Sequence, residues 1–199
     1  MKDQKFGNQL TAWLKSSSKK TIADLINVFS EKSFAVVLLV LMIIPALPLP
    51  TGGITHVFEV ISIVVAFELV IGRKTIWLPK RWLKRDISSI SNRKTVAGLA
   101  KKLKWIEEHT KPRLDSLIKN NLFRKLTGLW IVLFSITAFL APPFSGLDTL
   151  PSLGVVFIAL SIIFEDIYLY IFGSLIGVIG IVTVLTLGSV ILHSVNSWL

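Results

Sequence analysis

Two long apolar stretches of this chain lack any Lys or Arg, and proline interrupts both. The first block, FAVVLLVLMIIPALPLP, runs from Phe34 to Pro50, and only eleven of its residues precede Pro45. At the α-helical rise eleven residues climb about 17 Å, roughly half of a ~30 Å hydrocarbon core. Pro45, Pro48 and Pro50 cannot all belong to one unbroken helix, and Gly52 and Gly53 permit a tight reversal. A second apolar run of 18 residues, Ile54 to Ile71, then returns and stops at Gly72-Arg73-Lys74. Two geometries fit this pattern. In one, the hairpin is re-entrant and its turn sits at membrane depth, where protein or water must satisfy the irregular backbone. In the other, two short tilted spans carry the proline loop to the far surface.

The second apolar unit follows Arg124-Lys125. LTGLWIVLFSITAFLAPP gives sixteen residues before Pro142 and Pro143, then the turn FSGLDTLP, then a run from Ser152 to Phe164 that Glu165 and Asp166 interrupt. The last uncharged run, Ile167 to Leu192, has 26 residues and is long enough to span alone. Gly173-xxx-Gly177 within it has the spacing of close helix packing, inside one chain or between the copies of a homo-oligomer.

The remaining segments are amphipathic. Phe6, Leu10, Trp13 and Leu14 share one face of a short interfacial helix, and Thr21 with Asp24 forms a capping-box pattern opening a helix around 22–29. Between the apolar units, VAGLAKKLKWIEEH and RLDSLIKNNLF read as helices lying on a membrane surface, with Trp77 and Trp82 among bases as interfacial anchors. The pattern divides the chain into an interfacial region (1–32), a first membrane hairpin (33–72), a basic connector (73–125), a second hairpin (126–166) and a terminal spanning helix (167–199).

Composition sharpens this picture. Apolar residues make up 52% and charged residues 17%, with a mean hydropathy of +0.68, against about 25% charged residues in a soluble domain. The net charge of +10 alone would suit nucleic acid, but all 22 Lys and Arg lie in 1–32 and 73–125, leaving the last 74 residues without one. Such placement excludes a soluble nucleic-acid binder and puts the bases beside anionic headgroups on the cytoplasmic side. Zero cysteines exclude disulfides, thiolate metal sites and a cysteine nucleophile. The N-terminal stretch has no apolar core of signal-peptide type.

A shift of 97 residues superposes Pro45 on Pro142, Phe67 on Phe164 and Glu68 on Glu165. Both copies follow cytoplasmic-looking base clusters, so a genuine repeat would be of the parallel type found in some carriers, where discontinuous helices meet at a central site.

Few side chains in the apolar blocks can carry chemistry. A carboxylate facing hydrocarbon must be paired, protonated or turned to a cavity, which singles out Glu59, Glu68, Asp148, Glu165 and Asp166. His56 lies one turn before Glu59 on the same helical face, so the pair could bind an ion, relay a proton or contact a phosphate; in a turn lying among headgroups the two would merely be solvated. Arg73 or Lys74 can pair with Glu68, whereas Glu165 and Asp166 have no base nearby in sequence. His109 and His193 are isolated, and the chain has no phosphate loop, nucleophile elbow or HExxH. The sequence therefore points to no enzyme, no cofactor and no metal.

The ordered motifs IPALPLPTGG, FELVIGRKTIWLPKRWLKR, WIEEHTKPRL and LPSLGVVFIALSIIFEDIYLYIFG resemble the ExoD family of bacterial integral membrane proteins, over roughly residues 20–190. The resemblance implies involvement in exopolysaccharide synthesis and, as partners, membrane lipids and other membrane proteins of that process. It implies no role for Glu68 or for Glu165-Asp166, where the residues differ from those common in the family. The expectation is an all-α, multi-pass protein of the bacterial inner membrane with two proline-broken hairpins. It would bind or move a lipid-linked or anionic substrate, act as a small proton- or ion-coupled transporter, or serve as a structural subunit without substrate.

The base distribution predicts that 1–32 and 73–125 face the cytoplasm. Cysteines placed at Ser88 and Ser116 should resist an impermeant thiol reagent in spheroplasts until the membrane is permeabilised; labelling of both from outside would reverse the topology.

Overall fold

The computed structural model describes residues 21–29, 32–48, 54–73, 75–77, 79–84, 120–142 and 144–196, with single positions at 12, 107, 108, 110, 113 and 117. Within them the chain is helical: α1 (Ile22–Phe29), α2 (Ser33–Met42), α3 (Ile54–Val70), the single turn α4 (Lys80–Leu83), α5 (Asn121–Leu140), α6 (Thr149–Phe164) and α7 (Ile167–Asn196). The interfacial helix expected at 5–15, the turn residues Pro50, Gly52, Gly53 and Pro143, and most of the connector helices lie outside the described residues.

Local chemistry sets the helix ends. The Thr21 backbone N–H and hydroxyl both donate to Asp24 Oδ2, at 3.0 and 2.7 Å, and the Asp24 N–H donates back to Thr21 Oγ1 at 3.2 Å. This reciprocal cap satisfies donors that the first turn of α1 leaves orphaned. Helix α2 stops at Met42, and residues 43–46, Pro45 included, form turns before Pro48. Helix α5 begins at Asn121, earlier than the boundary at 126, because the Asn120 side chain accepts the Leu122 N–H at 2.9 Å and caps it. It ends at Leu140, two residues before Pro142. Helix α6 ends at Glu165, which adopts a left-handed conformation (φ 57°, ψ 36°), and Asp166 Oδ1 accepts the Tyr168 N–H at 2.8 Å to start α7.

The core is built around α2. Ala35, Val36, Val37, Leu38, Leu41 and Met42 have no exposed surface, so this ten-residue helix is enclosed on all sides. Its neighbours are α1, α3 and α6; α5 packs along α3 and touches α6 and α7, and α7 packs along α6. Glycine brings these helices close. A Cβ on Gly128 of α5 would lie 2.9 Å from both Leu69 Cβ and Val70 N of α3. At the α6–α7 crossing, a Cβ on Gly154 would lie 2.6 Å from the Gly177 Cα and 3.0 Å from the Gly173 carbonyl oxygen. The Gly173-xxx-Gly177 spacing is therefore used inside the chain, with α6 as the packing partner.

Two helices, Asn121–Leu140 and Ile167–Leu187, are long and apolar enough to cross a membrane. Both turn large apolar side chains outward: Leu122, Leu129 and Leu133 on α5, and Phe172, Leu175 and Val182 on α7. The shorter helices α2 and α6 are instead mostly buried. The superposition at 97 residues does not extend to the arms of the two units, since α2 has 10 residues where α5 has 20.

Overpacking the α6–α7 crossing should be costly. Gly154→Val is expected to destabilise the protein by about 1–3 kcal/mol or more, read as a lower midpoint of thermal aggregation in detergent, while Val182→Ala on the exposed face should leave that midpoint within error.

Candidate functional site

The first helical turns of α3 and α6 bring the polar side chains together. Glu59, on the second turn of α3, has 0% exposure although its neighbours along the helix are Phe58, Ile61 and Val65. The helical period puts His56 one turn earlier on the same face, and its Nδ1 lies 2.8 Å from Glu59 Oε2. Across from them, the His56 ring meets the Phe139 ring of α5 edge-on, with centroids 5.3 Å apart. The second unit contributes Asp148, the residue before α6, which acts electrostatically on both Glu59 and His56; the Thr55 side chain faces both carboxylates. Glu59 and Asp148, 89 positions apart in sequence, thus share one polar locus.

Several groups around this locus are only partly satisfied. Glu59 Oε1 and the hydroxyls of Ser62, Ser135, Thr149 and Ser152 are buried with no partner at hydrogen-bond distance among the described residues. Ser62 follows Glu59 by one turn. Helices α3 and α5 run antiparallel, with His56 opposite Phe139 and Ala66–Val70 opposite Gly128. That register sets Ser135 level with the Glu59–Ser62 stretch. Thr149 and Ser152 open α6 directly after Asp148. Buried polar atoms of this kind are uncommon in native folds and concentrate where water, ions or substrates are handled. None of these hydroxyls stood out in the sequence, although Ser62, three residues after Glu59, carried the same periodic signal as His56.

The remaining acidic candidates sit at the opposite, base-rich end. Glu68 accepts the Trp77 N–H at 2.7 Å, and Arg73 Nη1 approaches its other oxygen at 3.8 Å. Arg73 also lies 5.8 Å from the Trp77 ring centroid, and Arg124 Nη2 donates to the Arg73 carbonyl at 3.0 Å. Glu165 does have a base: Lys32 Nζ, distant in sequence, lies 2.9 Å from its Oε1 and donates to the Ile163 carbonyl at 2.6 Å. The expectation of an unpaired carboxylate at 165 therefore fails, because the fold returns the start of α2 to the end of α6. The Glu165 carbonyl accepts the Arg113 N–H at 2.8 Å, and the Arg113 guanidinium lies 4.8 Å from the Tyr168 ring. Asp166 serves as the cap of α7. Among the described residues no group of three or more His, Asp or Glu side chains is arranged to hold a metal ion.

The family model for exopolysaccharide synthesis, ExoD, matches residues 8–186. An uncharacterized protein of Synechocystis is 29% identical over 134 residues, 67% of this chain and 62% of that protein. Protein ExoD of Rhizobium meliloti is 25% identical over 147 residues, 73% of this chain and 61% of its own length. The chain thus spans about three fifths of the length of these relatives. No solved structure matches it.

The Lys32–Glu165 contact is half-exposed and should stabilise by no more than about 1 kcal/mol, but it ties α2 to α6. Lys32→Glu should lower the thermal midpoint, and adding Glu165→Lys should recover most of the loss. An additive double variant would show that the contact carries no coupling.

Proposed function

Because the chain belongs to the ExoD family of exopolysaccharide synthesis, we propose that it is a multi-pass protein of the bacterial inner membrane that supports exopolysaccharide synthesis or export without catalysing a reaction. In this reading the two proline-interrupted units are broken hairpins whose returning helices, α3 and α6, start at membrane depth. The chain binds or moves a lipid-linked or anionic substrate between membrane lipids and partner membrane proteins of polysaccharide synthesis. The observation that supports it is the fully buried carboxylate of Glu59, with half-buried His56 and Asp148 beside it, inside an otherwise apolar bundle. A merely structural subunit would have no need of it, since replacing a buried ionisable pair by apolar side chains of similar volume is often neutral or stabilising.

One feature favours a more specific second reading, a small proton- or ion-coupled transporter. The cluster carries two carboxylates and one imidazole, a set suited to taking up positive charge rather than an anion. An anionic substrate would then be held by the bases at the other end, among them Arg73, Arg113 and Arg124.

The test is surface polysaccharide output in a strain lacking its own copy, at matched expression. Glu59→Gln and Asp148→Asn keep size and hydrogen-bonding capacity while removing charge, and each should reduce output at least about tenfold while leaving membrane insertion and monodispersity intact. That loss corresponds to an interaction of about 1.4 kcal/mol or more. Glu165→Gln should retain output in proportion to folded protein. Full output from both Glu59→Gln and Asp148→Asn would leave the structural-subunit reading in place.

A further inference from the structure

The polar locus pairs the two units of the chain through residues that the 97-residue superposition does not align. Glu59 comes from the returning helix of the first unit and Asp148 from the turn of the second. We propose that Glu59, His56 and Asp148 form a single proton-binding site shared by the two units, with Glu59 as the group that takes the proton and Asp148 as its counterpart. The assignment deepens the coupled-transporter reading above and rests on it for its purpose, though not for its detection.

Four observations carry the inference. Glu59 is fully enclosed, and one of its oxygens has no partner among the described residues while the other meets His56 at 2.8 Å. A carboxyl group so placed is satisfied by a proton, which neutralises it and supplies a donor. Among the described residues the charged groups acting on it are His56, from its own helix, and Asp148, from the start of α6. The facing residues of α5 are Phe139 and Ser135, and α2 and α7 present no charged side chain among the described residues. Among the described residues no lysine or arginine reaches the locus to hold either carboxylate ionised, in contrast to Glu165 with Lys32 at 2.9 Å. Finally, the unpartnered hydroxyls of Ser62, Ser135, Thr149 and Ser152 flank the site on three helices, each able to donate and accept a hydrogen bond and so to pass a proton onward.

Among monovalent cations the composition favours the proton. Imidazole is a poor ligand for sodium and a good proton acceptor near neutral pH. The exchange involves no bond other than O–H: the proton leaves water for Glu59 Oε1 and returns to water, with His56 and Asp148 redistributing charge as it does.

A hydrophobic carbodiimide reports this state directly, because it modifies buried carboxyl groups in their protonated form, and peptide mapping by mass spectrometry locates the adduct. The full-length protein in liposomes should be modified at Glu59, with labelling falling about tenfold for each pH unit above the midpoint, as for a single titrating group. Glu165, paired with Lys32, should stay unlabelled. His56→Gln and Asp148→Asn should each move the midpoint of Glu59 labelling, which a purely packing role for either residue would not do. Three results would overturn the proposal: no adduct at Glu59 in the wild-type protein, labelling independent of pH, or one midpoint shared by wild type and both variants. Suppression of labelling by sodium at fixed pH would assign the site to that cation instead and overturn the proton. Because the wild-type profile needs no variant, misfolding of a substitution leaves the test decisive. A proton site found as described, together with full polysaccharide output from Glu59→Gln, would retain the site and remove the functional reading.

Discussion

Ten residues of helix cannot cross a bilayer, and the most deeply buried helix of this protein has only ten. At 1.5 Å per residue α2 is about 15 Å long, half of a typical hydrocarbon core. Pro45 and Pro48 prevent its continuation, and the apolar surface of so short a helix is buried only if other parts of the chain enclose it, up to Ala46, after which Leu47 and Pro48 are exposed. The arrangement of the other helices follows from that need. Helices α3 and α6 close on α2 from either side, α5 and α7 cover them with full-length apolar helices, and glycines at 128, 154 and 177 let the covering layers approach to backbone contact. Helix α2 has lost any lipid-facing surface, whereas α5 and α7 keep outward faces of leucine, isoleucine and phenylalanine.

The same enclosure separates two kinds of carboxylate. Glu68 and Glu165 lie at the end of the molecule where Lys and Arg are concentrated, and each finds a base or a backbone donor there. Both are partners that hold helix ends and loops in place. Glu59 and Asp148 lie at the end with no Lys or Arg among the described residues, and their surroundings are an imidazole and hydroxyls. Residue type alone does not distinguish the pairs. Position relative to the basic segments does, because it decides whether a negative charge can be compensated without a proton.

The helical architecture and the distinctive character of His56 and Glu59 were legible in the sequence because they are local. Periodicity placed the His on the Glu's face, the capping box at Thr21 fixed the start of α1, and proline marked the ends of α2 and α5. What the sequence could not show is long-range pairing. Glu165 looked solitary because Lys32 is 133 positions away, and Asp148, though singled out as a carboxylate in an apolar block, carried no sign that it would meet Glu59. The 97-residue offset aligned Glu68 with Glu165 by hydropathy, yet the two have different places in their helices: Glu68 lies inside α3, and Glu165 caps α6 in a left-handed conformation. Hydropathy carries helix lengths, and it carries no information about which turn faces which.

The charge distribution also constrains how the two ends can work together. An anionic substrate is repelled by Glu59 and Asp148 when they are ionised and attracted by Arg73, Arg113 and Arg124 at all times, since guanidinium groups do not lose their charge. In the proposed coupled reading, substrate and proton sites would therefore belong at opposite ends, and a rigid element must connect them if one is to influence the other. Helix α3 is that element in the proposed reading. It carries Glu59 on its second turn and Glu68, with Arg73 just beyond the helix, at its last, the two carboxylates separated by about 14 Å of continuous helix. Its packing on α5 is fixed at one end by Gly128 against Ala66, Leu69 and Val70, and at the other by His56 on Phe139. The glycine contact is backbone to backbone and leaves little play, whereas the ring contact is edge to face and depends on the charge of the imidazole. Helix α3 is thus held on α5 by close backbone approach at its basic end and by a side-chain contact at its turn end.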